Sequence, residues 1–312
     1  MTQCCQCFTE ESLLEALGDS RLVSALTSIW DWNFERARGQ IAQYQLSSNR
    51  RGHPGALEFV HGYLRHQKGD PHGADQIFSK ANDLIDDETN PALKGELYSA
   101  WGTIRHVVGD DDRALELYHK ALACLDRTGN VRDRAVTMGQ IADILQQRGQ
   151  TDEALRIRRE EQLPELERLG DVRSKAVTMG KIADILQQRG QTDEALRIRR
   201  EDEFPVYERL GDVRSKAVTM GQIADILVSR GDIHEAIRIY REILSEVEAL
   251  GDLYLMIRCR TQLGIALTKR GYKKDAPIIR EHLLWALAEA EKRQYVREAD
   301  QLRQIVNGLP IQ

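Results

Sequence analysis

Residues 134–173 read RAVTMGQIADILQQRGQTDEALRIRREEQLPELERLGDVR, and residues 175–214 repeat them nearly letter for letter as KAVTMGKIADILQQRGQTDEALRIRREDEFPVYERLGDVR. A third, drifting copy opens at Lys216 as KAVTMGQIADILVSRGDIHEAIRIY. Self-similarity at a fixed period marks a repeat array, in which each unit buries its apolar face only against its neighbours. Outward from these copies, a glycine recurs at Gly69, Gly109, Gly149, Gly190, Gly231 and Gly271, in steps of forty or forty-one residues. Five positions after each stands an alanine: Ala74, Ala114, Ala154, Ala195, Ala236 and Ala276. Seven positions before each stands a small residue: Gly62, Gly102, Ala142, Ala183, Ala224 and Gly264. The glycine predicts a left-handed helix end. The small residues on either side predict a close crossing of two helices, where a larger side chain would force the backbones apart.

A second set of glycines, Gly129, Gly170, Gly211 and Gly251, marks the other loop, so each unit reads as helix A, turn, helix B, turn. Between Asp171 and Gly190 the apolar residues Val172, Ala176, Met179, Ile182, Ala183, Ile185 and Leu186 keep helical spacing. Asp171 or Ser174 is placed to cap that helix, and Thr192 the following one. Asp193, four residues before Arg197, is expected to pair with it on an exposed face.

Small residue, Gly-Asp or Gly-Gln turn and alanine five on, within helix–turn–helix units, resemble the tetratricopeptide repeat (TPR) family. The aromatic position of that pattern is filled by Phe78, Tyr118 and Tyr240. The period of forty to forty-one, in place of thirty-four, is similar to the long repeats of kinesin light chains and of bacterial peptide-responsive regulators. The resemblance implies an all-α, right-handed superhelical solenoid whose A helices line a concave groove. The expected organisation is an N-terminal segment over 1–19, a degenerate helical unit over 20–48 and about six repeats over 54–292. A capping helix and tail over 294–312 close it. In the degenerate unit Trp32 takes the place of the turn glycine and Ala37 that of the alanine, and Trp30, Trp32 and Phe34 are expected to cover the open end.

Composition narrows the class. The 312 residues are 41% hydrophobic, 30% charged and 6% aromatic with seven prolines, which suits a helix-rich chain with long polar faces. A net charge of −5 gives no general attraction to nucleic acid or an anionic membrane, so neither partner is expected. No apolar run approaches the roughly 18 residues that span a bilayer, and the N-terminus lacks the pattern of a secretory signal. A cytoplasmic, reducing location is the expectation. Cys4, Cys5 and Cys7 crowd the N-terminus without a fourth metal ligand nearby, and Cys124 and Cys259 read as buried small apolar residues.

Two central units depart from the pattern. Their aromatic position is Arg158 and Arg199, their next small position Glu161 and Asp202, and Pro164 and Pro205 follow. A proline inside a helix removes a hydrogen bond and costs about 3 kcal/mol, so helix B is expected to stop near Glu161 and Asp202. The arginine-rich runs 156–159 and 197–200 read as a solvated, ion-paired face.

No GxGxxG, P-loop, HExxH or GxSxG motif is present, and no cofactor or catalytic residue is assigned. His66 and His106 take equivalent A-helix positions, which leaves open a metal-dependent enzyme in that region as a minor alternative. The stronger pattern is a set of ladders on helix A: Asp143, Asp184 and Asp225; Gln140, Lys181 and Gln222; Gln147, Gln188 and Ser229; and the glycines Gly139, Gly180 and Gly221. In-register glycines imply that something approaches the backbone there, either a neighbouring helix or a ligand. Three carboxylates one repeat apart repel one another, which favours a partner bearing basic or amide groups; the competing reading pairs each with Arg148, Arg189 or Arg230. The resulting expectation is a non-enzymatic scaffold or adaptor that holds a protein or peptide in its groove and regulates a separate effector. A peptide-sensing switch is the alternative, and self-association through the array ends is a third route.

Overall fold

Every regular element among residues 10–49 and 51–309, those described by the computed structural model, is helical. Cys4, Cys5 and Cys7 lie outside them. The chain divides into two compact units at Asp171 and Val172, between the two near-identical copies.

The first unit begins with α1 (Glu10–Leu17), α2 (Ser20–Trp30) and α3 (Phe34–Leu46). It continues with the hairpins α4 (Ala56–Gln67)/α5 (Pro71–Leu84) and α6 (Pro91–Val107)/α7 (Asp111–Thr128). It ends with α8 (Val131–Gln147), α9 (Thr151–Arg156) and α10 (Leu163–Leu169). The second unit holds α11 (Val172–Gln188), α12 (Thr192–Ile198), α13 (Phe204–Leu210), α14 (Val213–Arg230) and α15 (Ile233–Leu250). Its last elements are α16 (Leu253–Arg270), α17 (Ala276–Lys292) and α18 (Val296–Asn307). No helix among the described residues is long and apolar enough to cross a membrane.

Both glycine series sit where the pattern put them, each with positive φ at a helix end. Trp32 replaces a turn glycine in conformation as well as in position, at φ 59°, but it is 57% exposed and does not cover the end. Trp30 and Phe34 do pack on the core, joined by Leu13, Ala16 and Leu17 of α1, a helix the sequence pattern had not suggested. Asn90 Nδ2 ties α1 down through the Ala16 carbonyl at 3.0 Å. At the α4/α5 and α6/α7 crossings the small residue faces the aromatic position rather than the alanine, while Gly264 of α16 faces Leu283. A Cβ on Gly62 would lie 2.2 Å from the Phe78 ring, and one on Gly102 2.6 Å from the Tyr118 ring.

The N-caps are mostly Asp or Asn side chains, as at Asp110, Asn130, Asp212 and Asp252. Thr192 is the first helical residue of α12 and not its cap, since Gln191 precedes it. Asp193 pairs with Arg230 at 2.6 Å, one repeat on, while Arg197 goes to Glu201. A further ladder joins the second residue of α8, α11 and α14 to the aspartate that precedes the next A helix: Arg132–Asp171 at 3.9 Å, Arg173–Asp212 at 2.5 Å and Arg214–Asp252 at 2.8 Å. Burial pushes the Asp212 carboxyl up, but hydrogen bonds from Ser215 and Arg173 outweigh it and hold its pKa below the ordinary value. Its stabilisation is therefore complete above the unfolded pKa and fades as pH falls through the lower folded one. Asp212→Ala is expected to cost about 1–2 kcal/mol at pH 7, and its urea midpoint should rejoin that of the wild type at strongly acid pH. A gap that persists there would mean the carboxylate is not the source.

Helix B of the two central units does not stop before its proline. Between α9 and α10 residues Ile157–Gln162 form a π-helical turn, and between α12 and α13 residues Arg199–Glu203 form another. The Leu163 N–H bonds the Arg158 carbonyl and the Phe204 N–H the Arg199 carbonyl, each five residues back. Widening the turn by one residue shifts the carbonyl that a proline ring would strike in a regular helix. The spacing records the insertion: sixteen residues separate Ala154 from Gly170 and Ala195 from Gly211, against fifteen from Ala114 to Gly129 and from Ala236 to Gly251.

Candidate partner-binding site

The π turn decides what lies beneath the aspartate ladder. Arg158 and Arg199 fall in the slot that Tyr118 and Tyr240 fill elsewhere, and they are 2% and 1% exposed. These two residues are therefore not part of a solvated face, whereas Arg156 and Arg200 are exposed and paired with Glu153 and Glu235. Arg158 Nη2 donates to Asp143 Oδ1 at 2.7 Å, and Arg199 Nη2 to Asp184 Oδ1 at 2.5 Å. The Tyr240 hydroxyl donates to Asp225 Oδ1. Each ladder carboxylate thus has a partner fifteen residues on, across the A–B crossing. Arg148 and Arg230, the partners weighed from sequence, instead meet Asp112 and Asp193. Mutual repulsion in an empty groove is therefore no argument for a cationic ligand.

The neighbouring ladder is also engaged. Gln140 bridges Ser99 and Thr103 of the preceding A helix at 3.3 and 3.1 Å, and Gln222 accepts from Arg199 at 2.7 Å. Lys181 is half-buried, while Gln147 and Gln188 are exposed near the ends of α8 and α11.

The glycine ladder divides. Gln162 lies over Gly139, where a Cβ would stand 2.6 Å from its Nε2, and donates to the Ala135 carbonyl at 3.0 Å. Glu203 lies over Gly180, where a Cβ would stand 2.7 Å from Oε1. That carboxylate accepts from Arg199 at 2.9 Å and from Thr219 Oγ1 at 2.9 Å. Burial still raises the Glu203 pKa, against the pull of Arg199. For these two, the approach to the glycine comes from the repeat's own helix B. Over Gly221 nothing comes within 4 Å.

Instead a cleft of about 40 Å³ opens there, walled by Gly221, Asp225, Tyr240, Ile243, Arg258 and Cys259. A larger one of about 580 Å³, between α16 and α18, shares Arg258 and Gln262 with it and is flanked by Tyr254, Arg297 and Glu298. Burial raises the Asp225 pKa against the Tyr240 hydrogen bond and the Arg258 charge. Burial also pushes the Cys259 thiol up to about 12, so it stays protonated and unreactive.

The histidines form no equivalent centre. His106 Nδ1 meets Asp111 Oδ1 at 2.6 Å, and burial lowers the His66 pKa. Among the described residues no three His, Cys, Asp or Glu side chains gather as they would around a metal. Sequence reasoning missed a buried carboxyl pair, Glu96 of α6 and Asp133 of α8, each 7% exposed. Burial raises the Asp133 pKa, with hydrogen bonds from Glu96 and Asn130 opposing. A raised folded pKa favours the fold below the unfolded value and loses that contribution as pH rises through it. Asp133→Asn is therefore expected to stabilise by about 1 kcal/mol at pH 8 and by much less at pH 4, in urea titrations. A destabilised variant at pH 8 would show that the charged form is preferred.

Comparisons place this geometry among known folds. Residues 94–160 match the tetratricopeptide repeat family model, and no curated protein matches the chain by sequence. A Signal Transduction ATPase with Numerous Domains (STAND) from Pyrococcus horikoshii, with a tetratricopeptide repeat sensor, aligns with a TM-score of 0.76 at 12% identity. That alignment covers 92% of this chain but 44% of the ATPase, so the chain spans less than half of that protein's length. The apo quorum sensor NprR from B. thuringiensis aligns with a TM-score of 0.58 at 12% identity, covering 95% of this chain and 90% of that one. A Rap protein complexed with competence and sporulation factor gives 0.57 at 12% identity, covering 95% and 88%. At such identities the likeness establishes the fold alone.

Proposed function

From the tetratricopeptide-repeat fold of this chain we propose a non-enzymatic, cytosolic scaffold that holds a peptide or protein segment against its A helices and thereby governs a separate effector. The observation that carries this reading is the pair of adjoining clefts on the second unit, joined through Arg258 and Gln262 of α16. Together they offer a track that runs from a small, mainly apolar cleft into a larger one lined about equally by apolar and polar side chains, which can both bury and orient a segment. The fold is shared with a Rap protein that binds competence and sporulation factor, and with the sensor of a multidomain ATPase. Both support a role in which a segment is captured and another module responds. Recognition through amide and cationic groups of the partner suits Glu298, Gln262 and Gln301, which line the larger cleft.

The test is affinity capture from native cells with wild type and with Arg258→Glu/Gln301→Ala, both on the track. Arg258 and Gln301 are exposed. Because the Arg258 charge also offsets that of Asp225, the variant is taken into capture only with a thermal midpoint and circular dichroism spectrum matching those of the wild type. A partner recovered by wild type and lost with the variant supports the track. Equal recovery by both moves recognition elsewhere on the chain. X-ray scattering with the recovered segment then separates a rigid adaptor from a switch, since only a switch compacts.

A further inference from the structure

We propose that the cleft over Gly221 is a specificity pocket for a carboxamide side chain, glutamine or asparagine, on the bound segment. This rests on the partner-binding reading above and names the chemistry of one contact. The chain carries three copies of this site, over Gly139, Gly180 and Gly221. In the first, the space over Gly139 is filled from within by the Gln162 carboxamide, whose nitrogen donates to the Ala135 carbonyl and whose oxygen accepts from Arg158 at 3.2 Å. In the second, the space over Gly180 is filled by the Glu203 carboxylate, held by Arg199 and the Thr219 hydroxyl. In the third copy, helix B is α15, which has no π turn. Without the extra residue, the buried Ile243 takes the shared position and does not reach the glycine. The same backbone cradle is thus built three times and filled by the protein itself twice.

What the third cradle would take follows from what its walls keep. Ala217 stands in the register of Ala135, and its carbonyl has a second lone pair to accept from an amide nitrogen. Arg258, at the cleft wall, offers the guanidinium N–H that Arg158 offers in the first copy. The two groups that hold the carboxylate of the second copy are missing. Arg199 is replaced by Tyr240, whose hydroxyl is donated to Asp225, and Thr219 by Cys259, whose thiol is donated to the Tyr240 carbonyl at 3.1 Å. The charges of Asp225 and Arg258 offset each other, so the pocket has no net attraction for an ion of either sign. A neutral group that both donates and accepts fits it best.

The test uses the full chain and a random linear peptide library displayed on phage. Wild type and Gly221→Met are each selected against it, the substitution filling the cleft from its floor. Its Cβ meets nothing within 4 Å, and replacing a mid-helix glycine should not lower the thermal midpoint. The expected result is a wild-type consensus with a fixed glutamine or asparagine, absent from the variant's selection. Changing that residue to glutamate in a selected peptide should weaken binding at least about tenfold, and Gly221→Met should weaken the parent peptide equally. A consensus with fixed Lys, Arg or an apolar residue at the Gly221-dependent position overturns the carboxamide assignment. Peptides that bind wild type and Gly221→Met alike overturn the pocket and leave the scaffold reading standing. No enrichment by wild type counts against the scaffold reading and this assignment together.

Discussion

Arg199→Met is expected to cost about 3–5 kcal/mol at pH 8, because it leaves a buried charge without its partner. The Arg199 guanidinium is 1% exposed and bonded to Asp184, Glu203 and Gln222. Asp184 is 37% exposed on its side chain and can turn to water, so its share of the loss is modest. Glu203 cannot, since it lies at 7% exposure between Gly180 and Thr219. Burial already raises its pKa, and removing the cation raises it further. A group with a raised folded pKa helps the fold below its unfolded value and withdraws that help as pH rises through the folded one. The penalty should therefore shrink in urea titrations as the pH is lowered and Glu203 takes up a proton, and Arg199→Met/Glu203→Gln should recover part of it at pH 8. Arg156→Met, on the exposed side of the other π-turn repeat, is expected to change stability by less than about 0.5 kcal/mol. Equal stability of Arg199→Met and wild type would show that the buried pair adds nothing over an apolar filling.

This result bears on how the aspartate ladder can be probed. Alanine at Asp143 or Asp184 removes a carboxylate bonded to a buried guanidinium, so lost binding in such a variant would mix an effect on the fold with one on recognition. Gly221 carries no such burden, and the exposed Arg258 carries a smaller one, through its charge beside Asp225.

The hairpin array was legible because its signals are local and repeated. Positive-φ glycines end helices wherever they fall, and the paired small residues flag a crossing within one hairpin, although it is Phe78 and not Ala74 that faces Gly62. The π turns were not, although their signature was in plain view as a forty-one-residue step where other repeats take forty. A helix that meets a proline can end or widen, and the rule against interior proline does not choose between them. Reading an end at Glu161 and Asp202 left Arg158 and Arg199 on an outer face, where arginine is usually found. The signal that would have placed them is the constant fifteen-residue step from Asp143 to Arg158 and from Asp184 to Arg199, the same step that joins Asp225 to Tyr240. The open cradle over Gly221 was hidden for the same reason. It depends on which side chain of helix B reaches back, and the π turn sets that.

If the extra residue is what lets Pro164 sit inside a continuous helix, then deleting Glu161 should cost about 3 kcal/mol or more. The deletion restores the fifteen-residue spacing of α7 and α15 but sets the pyrrolidine ring against the carbonyl of a regular turn. Adding Pro164→Ala to the deletion should recover most of that cost, because nothing then obstructs a regular helix from Thr151 to Leu169. Pro164→Ala alone should change stability by less than about 1 kcal/mol, because the extra residue remains and the π turn persists without the proline. The three variants separate cause from consequence in one set of urea titrations. A harmless single deletion would show that the turn answers to something other than the proline. An unrecovered double variant would place the cost in the lost Arg158–Asp143 and Gln162–Ala135 bonds. In that case the π turn exists to bury an arginine, and the proline only follows it.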